Sequence, residues 1–176
     1  MAQPAIQTAL QQIAILPPSF DLSAAMASAN SARQITEAVD AFDQRATAWR
    51  AESLQNLDFV KSALAQLVTS DKRDEVWSEI GGTVEAALDA MRAIEPDVTT
   101  PITDRLAPLK PGLSPEALNT FQQQMRRADE IRERAFVELY WQLEQALSEI
   151  IWEYSPDARG GPSFDNADDL IAFLHR

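Results

Sequence analysis

Cysteine is absent from this 176-residue chain, which excludes a disulfide framework, a thiolate metal site and a thiol nucleophile. Histidine occurs once, at His175. That removes Ser-His-Asp and Cys-His catalysis, and with them the Glu-x-x-His ligand pairs of di-iron bundles. Close to the end of the sequence, His175 reads as an exposed residue rather than a ligand. Glycine is scarce, with five residues, and neither Gly81-Gly82 nor Gly160-Gly161 carries the further glycines and the Lys-Ser/Thr pair of a phosphate loop. No run of 18 apolar residues exists, so no membrane span is expected. The opening MAQPAIQTALQQIAIL lacks the cationic segment of a secretory signal. These absences predict a cytoplasmic protein that is not an enzyme and holds no cofactor or metal.

Basic residues are outnumbered, 15 against 27 acidic, leaving a formal charge of −12. Such a surface repels phosphate backbones, so no nucleic acid is expected as a partner. It steers basic proteins toward the chain, and it also serves plain solubility. Hydrophobic residues at 45% and charged residues at 24% are ordinary for a globular domain large enough to bury its own core.

Helical periodicity dominates. Ile6, Leu10 and Ile13 predict a short amphipathic helix ending before Pro17-Pro18. Ser19 to Ser31, rich in Ser and Ala, reads as loop or weak helix. Ser31 followed by Gln34 forms a capping-box pattern, so a long helix starts there or earlier at Asp21 or Ser23. Its seam runs Ile35, Val39, Phe42, Ala46, Trp49, Ser53, Leu57, Val60, Leu64, Leu67. Ser70-Asp71 is expected to cap a third segment with Val76, Ile80, Val84, Ala87, Met91 and Ile94 on one face. Gly81-Gly82 within it predicts a kink, a break or a close helix crossing, since adjacent glycines cost roughly 2 kcal/mol in a helix interior. The proline-rich stretch from Pro96 to Pro115 cannot be one long helix and reads as the main connector, with a helical turn near Asp104 to Leu106.

Ser114-Pro115-Glu116 then opens a helix of about 40 residues reaching Tyr154, hence about 60 Å long. The expected fold is all-α: an antiparallel bundle of about three long helices with short N- and C-terminal helices. Residues 1–155 form the bundle domain, 156–162 a flexible linker, and 163–176 a short amphipathic C-terminal helix.

Two features of the long helix bear on function. The run from Arg126 to Arg134 holds four of the twelve arginines. Arg126–Glu130, Glu130–Arg134 and Asp129–Arg132 pair at helical spacing, describing a self-satisfied charged surface; the functional alternative is an arginine patch for an acidic ligand. Further along, Phe136, Leu139, Tyr140, Leu143, Leu147, Ile150, Ile151 and Tyr154 share one arc, the expected core face. Val137, Trp141 and Trp152 fall outside it, the tryptophans aligned three turns apart.

That surplus strip needs a cover. The N-terminal helix could cover it, or Phe164, Leu170, Ile171, Phe173 and Leu174 of the C-terminal segment could fold back onto it. Otherwise all eight residues form a partner surface, because tryptophan anchors interfaces. The expectation is a non-catalytic acidic interaction module of adaptor, inhibitor, antitoxin or immunity type that binds a basic protein. A homo-oligomer built on the helical seams is the alternative. A bundle holding a metal through carboxylates such as Glu85 with Asp89, or Glu138, Glu149 and Glu153, is a more distant one.

Overall fold

The computed structural model describes residues 2–13, 19–68, 71–109 and 112–155. Every regular element among them is helical: α1 (Ala2–Ile13), α2 (Ser19–Ser28), α3 (Ala32–Leu67), α4 (Arg73–Ala93), α5 (Glu95–Thr99), α6 (Ile102–Leu106), a 3₁₀ turn (Ala107–Leu109), α7 (Pro115–Arg132), a π-helical turn (Glu133–Val137) and α8 (Glu138–Tyr154). The linker and C-terminal helix expected at 156–162 and 163–176, with Phe164, Leu170, Ile171, Phe173, Leu174 and His175, lie outside the described residues.

The all-α bundle is observed, with its helices arranged in four columns. Arg127 of α7 meets Asp40 and Asp43 of α3, and farther along Phe136 meets Trp49. The two longest columns, α3 and α7–α8, therefore run side by side in the same direction. The other two descend against them and are jointed. Gln7 of α1 donates to the Glu79 carbonyl of α4, and Asp21 of α2 pairs with Arg45 of α3, so α1 and α2 form one descending arm. Helices α4, α5 and α6 form the other: Arg92 of α4 meets Glu144 of α8, whereas Thr103 of α6 meets Asp129 of α7.

Local chemistry explains the breaks. Ser31 N-caps α3, its hydroxyl accepting from the Gln34 amide at 3.3 Å, while the Gln34 side chain reaches back to accept from the Asn30 amide at 3.1 Å. Pro96 and Pro101 end nothing by themselves. Pro96 occupies the first turn of α5 and Pro101 the N-cap of α6, positions where a missing N–H costs little. The connector is thus two short helices and not an irregular loop. Gly112, at φ +94°, makes the final turn before Ser114, whose hydroxyl accepts from the Ala117 amide at 3.2 Å to start α7.

Two local expectations are corrected. Helix α4 begins at Arg73, with Lys72 at its N-cap and no side-chain cap, so Asp71 lies before the helix and does not cap it. Asp74 and Glu75 still sit in its first turn, where the dipole favours anions. Gly81-Gly82 neither breaks nor ends α4, which is continuous through both. A Cβ on Gly81 would lie 2.6 Å from the Trp77 ring, so the missing side chain makes room for an indole one turn back. Nothing approaches the same position on Gly82 within 4 Å.

The seams pack as read. Of the ten α3 positions, Trp49 and Leu67 are half-buried and the other eight buried, Ser53 among them. The six positions expected on the third segment's face are all buried, five in α4 and Ile94 at its C-cap, with Trp77 and Leu88 added. The α8 arc is buried apart from half-buried Ile151. Phe136 joins the columns, its ring edge-on to Phe42 at 5.8 Å and to Trp49 at 5.0 Å.

Candidate functional site

The charged run of α7 is divided among three tasks. Arg127 crosses to α3, donating to Asp40 at 2.6 Å and Asp43 at 3.3 Å; the Asp40 hydrogen bond pushes its pKa up. Arg132 is 5% exposed, against the expectation of a surface pair. It lies 3.5 Å from Asp129, but its main work is elsewhere, donating to the carbonyls of Val98 and Thr99 at 3.1 and 3.0 Å. Asp129 in turn accepts from the Ile102 amide at 2.6 Å and from the Thr103 amide and hydroxyl. This i, i+3 pair thus caps the end of α5 and the start of α6 at once, satisfying groups that a helix terminus leaves orphaned. It locks the connector onto α7.

Arg126, Glu130 and Arg134 make none of the predicted i, i+4 ion pairs among the described residues. Arg134 instead lines a cleft of about 550 Å³ between α3 and the α7–π junction, facing Arg50. Arg134 lies inside the π turn and Glu138 directly after it. The Glu138 carboxylate accepts from Gln142 at 3.3 Å instead. Nothing in the residue types of 133–137 announces such a turn, although the buried face carries a trace of it. Ten turns of about 3.6 residues from Ala117 land on Glu153, whereas the face ends at Tyr154.

On α8, Trp141 and Trp152 are each 58% exposed, the largest exposure among the big apolar side chains described. Trp141 makes one ring contact, edge-on to Tyr140 at 6.0 Å. Val137 does not join them; it lies in the π turn, half-buried against the core. Gln145 sits between the tryptophans and donates to Glu149 at 3.3 Å. The helix carries Glu138, Glu144, Glu149 and Glu153 and no basic residue. Phe59 of α3, 44% exposed, is a further apolar side chain that the seam analysis did not single out.

Beneath the strip, both tyrosines are buried. Burial, then the nearby Glu144 and Glu95 carboxylates, push the Tyr140 phenol up to about 12. Tyr154 is raised as well, by burial and then Glu153, although the Arg73 guanidinium 5.5 Å over its ring works the other way. Among the described residues no three His, Asp or Glu side chains gather in a metal-binding cluster, and no helix is long and apolar enough to cross a membrane. Comparison with known proteins returns no matching family, no similar curated protein and no similar solved structure.

Proposed function

We propose that the chain is a non-catalytic protein-protein interaction module whose partner is a more basic protein. The observation that carries the reading is α8: four glutamates, no basic side chain, and two tryptophans more than half exposed on one line. Eleven residues separate them, roughly 16 Å along the axis. Exposed aromatics amid carboxylates suit Lys and Arg side chains, which gain a cation–π contact with the ring and an ion pair with the rim. The total charge of −12 steers such a partner in.

The test is capture with the full chain, identification of what is retained, and titration of that purified protein. The reading expects a basic partner, affinity that weakens with salt, and at least a tenfold loss in Trp141→Ala/Trp152→Ala at unchanged helicity. A partner without basic surface, one indifferent to both substitutions, or capture of nothing but further copies of the chain overturns it.

A further inference from the structure

The cleft between α3 and the α7–π junction gathers three arginines on this acidic molecule. Its arginines are Arg50, Arg127 and Arg134, set against the carboxylates of Asp43 and Glu130. Arg127 is committed to Asp40 and Asp43. Arg50 and Arg134 have no carboxylate partner among the described residues. Arg50 has no acid three or four residues away on its own helix, and its Nε is buried without a hydrogen-bond acceptor. An unsatisfied buried donor is costly, more so when charged. Arg134 lies within the π turn, a feature that is frequent at functional sites. Ile131 and Ala135 add an apolar wall, and about 550 Å³ lies within the size range of small-ligand sites.

The geometry points to an anion-binding site in which Arg50 and Arg134 hold the terminal oxyanion group of a small molecule, with its short apolar body against Ile131 and Ala135. Guanidinium groups present paired N–H donors matched to phosphate and carboxylate oxygens alike. Phosphate monoesters and carboxylates are therefore the two sources of the shared chemistry. The site is independent of the aromatic strip on α8 and does not rest on the protein-binding reading.

Calorimetric titration of the full chain at low salt with phenyl phosphate, benzoate and benzyl alcohol tests it. Phenyl phosphate or benzoate binds and benzyl alcohol does not; whichever anion is tighter identifies the source. Arg134→Gln, at an exposed side chain that leaves the fold intact, weakens binding roughly tenfold, Arg50→Gln does likewise, and Arg134→Lys falls between. Absence of binding by both anions overturns the assignment. Equal binding of benzyl alcohol, or affinity unmoved by Arg134→Gln, overturns it too.

Discussion

Gly81 and Gly82 are neighbours in one continuous helix, yet the packing around them predicts opposite responses to the same substitution. Alanine in place of glycine in a helix interior is favoured by about 1 kcal/mol through backbone propensity alone. At Gly82 nothing lies within 4 Å of the new Cβ, so Gly82→Ala should keep that gain. For a chain of this length 1 kcal/mol corresponds to about 2–4 °C in melting temperature. At Gly81 the Cβ would stand 2.6 and 2.8 Å from Cε2 and Nε1 of Trp77, a ring buried in the core and unable to swing aside freely. Overpacking of this kind costs about 1–3 kcal/mol. The net effect of Gly81→Ala is then a loss of about 1 kcal/mol, leaving the variants about 2 kcal/mol apart. Urea unfolding followed by circular dichroism measures the gap. In a Trp77→Leu background the indole is gone and Gly81→Ala should become stabilising, giving a coupling energy of about 2 kcal/mol. Equal stability of the two alanine variants would refute the reasoning. So would a Gly81→Ala deficit that persists without the indole.

Removing the carboxylate in Asp129→Ala strips the cap from α6 and leaves the buried Arg132 guanidinium with only the exposed Glu133 carboxylate, at 3.5 Å, as counter-ion. A loss of about 3 kcal/mol is expected, against less than about 1 kcal/mol for Asp40→Ala at an exposed ion pair; chemical denaturation showing comparable losses would contradict the assigned roles. At high pH, the folded Tyr140 phenol holds its proton to about 12 while the unfolded one titrates near 10. Its contribution is therefore complete below pH 10 and falls as pH rises toward 12, by a few kcal/mol at most. Wild type should lose stability relative to Tyr140→Phe across that interval, read from denaturation midpoints at successive pH values; a pH-independent difference would be inconsistent with the burial of the hydroxyl.

Burial patterns that repeat every three or four residues were readable from residue types, because one apolar face suffices to define a helix. The α3 seam, down to its buried Ser53, and the Ser114-Pro115 start fall in this class. What was hidden depends on residues far apart in the chain. Arg132 looked like half of a surface pair because Val98 and Thr99, whose carbonyls it satisfies, lie more than thirty residues earlier. The prolines of the connector argued correctly against a long helix, and the helical turn expected near Asp104 to Leu106 is α6, but α5 went unseen, since Pro96 suits a helix start as well as a loop. Gly81-Gly82 left a kink, a break or a close helix crossing open; the space that the missing Gly81 side chain leaves is taken by the Trp77 ring of the same helix, which propensity does not count. Of the candidate surface, Trp141 and Trp152 were legible as surplus to the core arc. The cleft was not, because Arg50 and Arg134 meet only once α3 and α7 lie side by side.

The π turn has a geometric meaning beyond the cleft it borders. It adds about one residue to the buried face of the column, and one residue is worth 100° of rotation. The turn thus acts as a phase coupling between the two ends of a single shaft. Upstream, α7 is keyed to α3 and the connector through Arg127 and the Asp129–Arg132 pair. Downstream, it sets the azimuth at which the tryptophans leave the molecule. Regularising the turn without removing a residue would swing the aromatic strip by about 100°, whereas deleting one residue there would leave a regular helix with the strip at its present bearing.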